Sequence, residues 1–566
     1  MAVRLVQSMA VMGLGSALVG CAAVATKPDQ QIEVAVPAPA PTGPKRCLLL
    51  TTNDSEAHFD GPKAVTATTG SVTLGSIARV AAYKQQLLQQ RPGGVLLLEG
   101  GDVLQGRFME RADGDRAQAA KLAWQLYEAA GYDYGTLGNH EFDAGPQVVR
   151  HALKGLSKYR ILTANLDADA TSLDPREPGF PDGLYGKTAI VNCGGIRLGL
   201  FGLLTPTTRT ISQIGDVRFF DDPINSPARA AVAQLRAQGA QLVVALSHLG
   251  LGEDIDLAKD VSGIDAIVGG HSHTPMPRAK VVQGTWITQA GSRFAWVGQL
   301  DLALAATGVG LDPLLSRWHM TAVDQQMPID AKLEARVTHL RSHLIAEVVI
   351  GQRPVSWDLT QPRGDYGQKA ARMAAQVVRK ALPQLHKIAP VVGGLLNTGG
   401  FRSHTVYPPG PVTNLDVFAI HPFANRLLAV KLSGQGLIDT LEHGCAPGSD
   451  GHGQGLVLWG LTMGCDRGKP AQTYTYENGK PIAILQRGQR LVEATVGGRP
   501  IDKRQLYTIA TLDYLAKGGS GYLPLKTGER LCLDGQPFGR EPPCQSPKFN
   551  QVLEQAVREG WFDQPL

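Results

Sequence analysis

The sequence predicts an α/β protein of two domains joined by a helix. From Cys47 onward, short apolar runs alternate with helix-period stretches such as 76–89 and 117–130, the pattern of helices laid against sheets. Five of the apolar runs end in Asp, Asn or His, where an α/β fold gathers its chemistry. A polar-faced helical stretch near 328–350 then precedes a second region, richer in Gly and Pro, with its own apolar runs at 391–396, 427–432 and 507–510. A length of 566 residues allows roughly three domains at about 100–200 residues each. With 43% hydrophobic and 19% charged residues the composition is that of a globular chain, which excludes bulk disorder. The net charge of +5 is spread without a basic block, so the electrostatic footprint of a nucleic-acid polymer binder is missing.

Taken in order, residues 1–21 read as a leader: Arg4 supplies the positive charge, and 9–20 is a small apolar run too short to span a bilayer. It ends Leu18-Val19-Gly20-Cys21, which resembles the lipobox of bacterial lipoproteins, where the Cys is acylated. An ordinary secretory signal cut nearby is the alternative. Either way the chain is expected to be exported, and acylation at Cys21 would hold it at the periplasmic face of the membrane through lipid alone. Residues 22–45, rich in Ala and Pro, form a tether. The first domain is expected over 46–325, a connector helix over 326–350 and the second domain over 351–566.

Beyond Cys21 there are six cysteines, an even number in an exported chain, so disulfides are permitted. Cys445 with Cys465 and Cys532 with Cys544 are the expected local pairs. Cys47 and Cys193 lie in strand-like stretches, where buried thiols and a bond are both open readings.

The five strand endings are Leu50-Thr51-Thr52 before Asn53-Asp54, Leu98-Glu99 before Gly100-Gly101-Asp102, Thr136-Leu137 before Gly138-Asn139-His140-Glu141, Ala245-Leu246 before Ser247-His248, and Ile267-Val268 before Gly269-Gly270-His271-Ser272-His273. Singly, each reads as a turn or a helix cap with a surface His. Together they form an oxygen- and nitrogen-rich donor set without thiolate, suited to first-row divalent ions.

This order of motifs resembles the calcineurin-like metallophosphoesterases, and more narrowly the exported 5'-nucleotidase and UDP-sugar hydrolase branch. Asn397-Thr398-Gly399-Gly400-Phe401-Arg402, Pro422-Phe423 and Asp513-Tyr514-Leu515-Ala516-Lys517-Gly518-Gly519 match that branch's substrate-binding motifs. The resemblance implies a four-layer α/β/β/α first domain and a smaller α/β substrate-binding domain. It implies two divalent ions, Mn, Zn, Fe or Co, with Asp102 between them, Asp54 and His273 on one, and Asn139, His248 and His271 on the other. His140 and Asp143 would be the catalytic dyad, while Asn397, Arg402, Phe423 and Tyr514 would bind a nucleotide or related phosphoester. The reaction implied is in-line hydrolysis by a metal-bridging hydroxide.

Two positions depart from the branch. Asp54-Ser55-Glu56 stands where Asp-x-His is usual, so Glu56 is the expected replacement ligand and His58 the alternative. Ser520 stands where nucleotidases of this kind carry an Asp that grips ribose hydroxyls. That keeps open a UDP-sugar or cyclic-nucleotide hydrolase, or a thiosulfohydrolase on the same frame. A non-enzymatic surface-binding protein is disfavoured, because a decayed enzyme would be expected to have lost some of these residues. The resemblance further implies rotation of one domain against the other.

Overall fold

The computed structural model describes residues 44–563 apart from 61–62, 67–69, 74, 106–115, 168–170, 172, 174–182, 184, 345–347, 385–388, 403–405, 447–454, 478–479 and 540–543. The leader with Cys21 and the tether up to residue 43 lie outside the described residues. Among the described residues no helix is long and apolar enough to cross a membrane.

Two sheets form the first domain. One has seven strands, in the spatial order β13 (Arg317–Ala322), β12 (Trp296–Ala303), β1 (Arg46–Thr52), β2 (Val95–Glu99), β3 (Tyr134–Thr136), β4 (Arg160–Leu162) and β5 (Tyr185–Gly186). The other has six, in the order β10 (Lys280–Val282), β11 (Thr285–Gln289), β9 (Ala266–Gly269), β8 (Leu242–His248), β7 (Ile196–Leu204) and β6 (Thr188–Cys193). Strands β1 to β4 run parallel, as do β7, β8 and β9. Strands such as β2 and β8 are apolar on both faces because both faces are covered.

Three cores separate four layers. Helices α1 (Ile77–Gln90), α2 (Arg116–Ala129) and α3 (Pro146–Leu153) pack Trp124, Tyr127 and Val149 on the outside of the first sheet. Leu49, Leu98, Leu198 and Val244 fill the space between the sheets. Helices α4 (Asn225–Ala237) and α5 (Leu251–Asp260) bury Leu235 and Leu257 against the second. In the central layer Cys47 of β1 is bonded to Cys193 of β6, with Cα atoms 5.3 Å apart. This settles the question left open by sequence, since the bond joins the two sheets. The local pairs Cys445–Cys465 and Cys532–Cys544 are formed as expected.

The connector is helix α6 (Ala331–Leu344), shorter than the stretch of sequence suggested. Asp330 starts it by accepting from the N–H groups of Lys332 and Leu333, the work of an N-cap. Leu333 and Val337 are buried with the first domain's core, and Leu415 of the second domain joins them there. Residues 349–350 already belong to β14 (Val349–Arg353), which pairs with β16 (Gly410–Thr413) of the second domain. The second domain's main sheet runs β18 (Leu456–Trp459), β15 (Val391–Asn397), β19 (Leu506–Leu512), β17 (Leu427–Ser433) and β20 (Glu529–Leu531). Helix α7 (Asp365–Ala381) lays Ala370, Ala374 and Val378 on it.

Candidate active site

All five strand endings open onto one end of the paired sheets. Strands β1, β2 and β3 deliver Asp54, Asp102 and Asn139 from one sheet, while β8 and β9 deliver His248, His271 and His273 from the other. The turns are tight enough to force backbone into the left-handed region at Asp54, Glu56, Asp102, His271 and His273. Non-glycine residues persist there only where the surroundings over-determine them, and such residues cluster at functional sites. Gly101, also left-handed, is required by crowding: a Cβ there would lie 2.6 Å from His248 Nδ1.

Asp102, His248 and His271 bring ligand atoms within 4.8 Å of one another. His248 Nδ1 lies 2.7 Å from the Gly100 carbonyl oxygen; donating there fixes the tautomer and turns Nε2 inward. That Nε2 is 3.0 Å from Asp102 Oδ2 yet has no hydrogen-bond partner, an arrangement suited to two ligands sharing an ion. Asn139 Oδ1 is buried and equally without a hydrogen-bond partner. Burial and the neighbouring His248 hold the His271 pKa well below its ordinary value, the neutral form a metal ligand needs.

Beside this group, His273 Nε2 is 3.2 Å from Asp54 Oδ1 and 3.7 Å from Glu56 Oε1. Asp54 accepts hydrogen bonds from the His271 N–H and from Asn53 Nδ2. Glu56 is divided between two tasks. Its Oε2 accepts from Arg293 Nε (3.0 Å) and Nη2 (2.8 Å), while Oε1, buried without a hydrogen-bond partner, faces His273. Burial opposes its charge, but Arg293, His273 and Arg402 hold the carboxyl well below the usual carboxylate range. His58 directs Nδ1 to the Glu56 carbonyl oxygen at 2.8 Å, so that nitrogen steadies the turn. The buried, partnerless oxygens of Glu56 and Asn139 and the inward Nε2 of His248 fit divalent ions.

His140 follows Asn139 in a single turn of 3-10 helix, and its N–H donates to Asp102 Oδ1 at 2.8 Å. Its Nδ1 is 2.7 Å from Asp143 Oδ2. Burial alone would lower its pKa, but Asp143 and Asp102 outweigh that and push it up to about 9. Arg402 opposes the shift, with Nη2 2.8 Å from His140 Nε2. A guanidinium has only protons to offer, so this contact belongs to the neutral ring, with Nδ1–H donating to Asp143.

The second domain supplies the facing wall. Arg402 follows β15, and its guanidinium lies 5.5 Å over the Phe423 ring, which is 6.1 Å from His140. Tyr514 lies in the short helix Asp513–Ala516 with its hydroxyl 3.0 Å from Ser520 Oγ. Asn397 ends β15 with Oδ1 buried and without a hydrogen-bond partner. Arg402 and Phe423 are thus brought to the dyad, while the Tyr514 hydroxyl is engaged within its own loop.

Three contributors escaped the sequence reading. Gln105 places Nε2 2.9 Å from His140 Nε2. Glu141, quoted within the Asn-His motif but given no role, accepts from the backbone N–H groups of Asp102, Val103, Leu104 and Gly138, locking the Asp102 and Asn139 turns together. Its place in the motif was the available signal. Arg293 sits in an ordinary loop after β11 and carried none.

Residues 58–275 match the calcineurin-like phosphoesterase family, and residues 349–527 match the 5'-nucleotidase C-terminal domain. The chain is a calcineurin-like phosphoesterase with a 5'-nucleotidase C-terminal domain. It is 26% identical to the probable 5'-nucleotidase of Treponema pallidum, over 90% of each chain. It is 25% identical to the trifunctional nucleotide phosphoesterase protein YfkN of Bacillus subtilis over 86% of this chain, spanning about a third (33%) of that longer protein. The solved 5'-nucleotidase precursor of Thermus thermophilus superposes with a TM-score of 0.73 at 27% identity, covering 91% of this chain and 96% of that one. As a phosphoesterase of this architecture, the chain has the four-layer first domain and α/β second domain that its motifs implied.

Proposed function

We propose that the chain hydrolyses phosphate esters of nucleotides, in the manner of a 5'-nucleotidase, with two divalent ions held by Asp54, Glu56, Asp102, Asn139, His248, His271 and His273. One observation carries the reading: the Asp143-bound His140 stands beside the Asp102 ligand group and meets Arg402 from the other domain at 2.8 Å. When bound, the ions would supply Lewis acidity and an activated water for in-line displacement. The protein's own groups do the rest. Asp143 orients His140 and favours its protonated form; its Nε2 would carry a proton for the leaving oxygen once the Arg402 guanidinium has left that nitrogen for the phosphoryl group. Arg402 can pair with phosphoryl oxygens through its planar fork. Phe423 offers an aromatic face beside the phosphate position, and Tyr514 and Asn397 line the same domain's substrate side.

A second reading, a related phosphoester or a sulfur ester as substrate, is favoured by Ser520. Its hydroxyl is paired with that of Tyr514, so this part of the wall presents neutral groups. Export to the periplasmic face, with a lipid at Cys21, is part of the proposal and is supported by the leader and the three disulfides.

The test is hydrolysis of AMP, UMP, a UDP-sugar, a 2',3'-cyclic nucleotide and an aryl phosphate, read as the nucleoside, nucleotide or phenol formed, with Mn, Zn, Co, Mg or chelator. Metal-dependent turnover strongest on a mononucleotide, and lowered about 10²–10⁴-fold in His140→Ala, is the expected result. Silence on every phosphoester would overturn it in favour of the sulfur ester.

A further inference from the structure

The loop after β11 touches both domains at one residue. Arg293 and Phe294 are both left-handed, with φ of 55° and 57°, a conformation maintained by contacts on either side. The Phe294 ring is buried in the first domain, 6.0 Å from that of Tyr127. The Arg293 N–H donates to the Asp54 carbonyl at 2.9 Å, so the loop is fastened to the Asp54–Glu56 turn by main chain as well as by the Glu56 ion pair. Its Nη2, already donating to Glu56, also donates to the Arg402 carbonyl oxygen at 2.6 Å.

We propose that Arg293 is a positioning residue: it ties the main chain of Arg402 to the Asp54–Glu56 turn and thereby sets where the Arg402 guanidinium stands relative to His140. The inference rests on the functional reading above, in which Arg402 and His140 act on one phosphoryl group. Arg402 Nη1 is 3.6 Å from Glu56 Oε1 while its Nη2 meets His140. Its carbonyl and its guanidinium are therefore both referenced to the first domain, the carbonyl through Arg293. The forked guanidinium is what allows this, because Nε and Nη2 share one carboxylate oxygen while Nη2 reaches a second acceptor. An ammonium is a single point of donation and reproduces the charge without the fork.

Two measurements test the tie. The first uses the metal-loaded protein with AMP and an aryl phosphate, comparing Arg293→Ala, Arg402→Ala and the double variant, with bound metal counted in each. Arg293→Ala is expected to lower kcat/KM about 10–100-fold at unchanged metal content, with Arg293→Lys recovering part of the loss. In its background Arg402→Ala should cost less than about twofold, since the guanidinium is no longer placed; neighbours in one network are non-additive. Full additivity, or wild-type kinetics in Arg293→Ala, would overturn the proposal. The second needs no turnover: amide hydrogen exchange over residues 398–402 should quicken in Arg293→Ala, and unchanged exchange would overturn the tie whatever the substrate. A wild type silent on every ester, with exchange still quickened in the variant, would sink the functional reading and leave the tie standing. If the alanine variant does not fold, Arg293→Lys carries both measurements.

Discussion

On the first domain's side of the site Asp54, Asp102 and His248 are no more than 1% exposed, with His271 and His273 half-buried at its edge, while Arg402, Phe423 and Tyr514 on the second domain's side are all half-buried. The first wall is made at strand ends whose turns are locked by Glu141 and by close-packed glycines. The second is made of side chains on loops, held by a few long-range contacts. The contrast matches the tasks proposed for each wall: ion ligands must be fixed to fractions of an ångström and desolvated, whereas a substrate wall must admit and release its ligand.

The sharpest way to break this comparison is Asp102→Ala. If the first wall is one pre-organised ligand set, bound metal falls and turnover drops by more than the roughly 10²–10⁴-fold assigned to His140. Metal analysis beside turnover checks it, and retained metal would mean the ligands act independently. Next in size is the inter-sheet disulfide. Cys47→Ser with Cys193→Ser removes a bond between residues 146 positions apart. The loss should be about 2–5 kcal/mol, read as a lower urea midpoint with the second domain's disulfides intact.

His421 lies under the second wall, its ring packed edge-on to Phe401, Phe423 and Phe549. Burial pulls its pKa down to about 4. The unfolded chain therefore binds a proton that the folded one refuses, and the stability it lends above about pH 6.5 is lost as pH falls towards 4. At about 1.36 kcal/mol per unit this approaches roughly 3 kcal/mol at the acid end. His421→Phe should flatten the difference in stability between pH 7 and pH 4 relative to wild type; an unchanged acid limb would show the ring accepts its proton without penalty. Smallest, and specific to the second wall, is Phe423→Ala. Losing one aromatic contact of about 0.5–1.5 kcal/mol should raise KM for a mononucleotide about 2–12-fold with metal content unchanged, and loss of metal would deny that the walls are separable.

Local pattern made much of the first wall legible. A strand that ends in Gly-Asp or Gly-Asn-His declares both the strand and the turn, because the apolar run and the polar residue are adjacent in sequence. The second wall was legible through family motifs, since an Arg on a glycine-rich turn or a Phe after Pro reads equally well as a solvated turn or as core packing. Glu56 shows the limit: its residue type suggested a ligand, but its partner Arg293 is 237 positions away.

The sequence by itself therefore determined the two-domain α/β plan, the five strand endings and the local disulfides, all set by residues a few positions apart. Tertiary structure decided that Cys47 meets Cys193 across the sheets, that Glu56 shares its charge with Arg293, and that Arg402 reaches His140 from 262 positions away. Those pairings depend on how sheets and domains stack, and local periodicity carries no record of which distant turn will lie opposite.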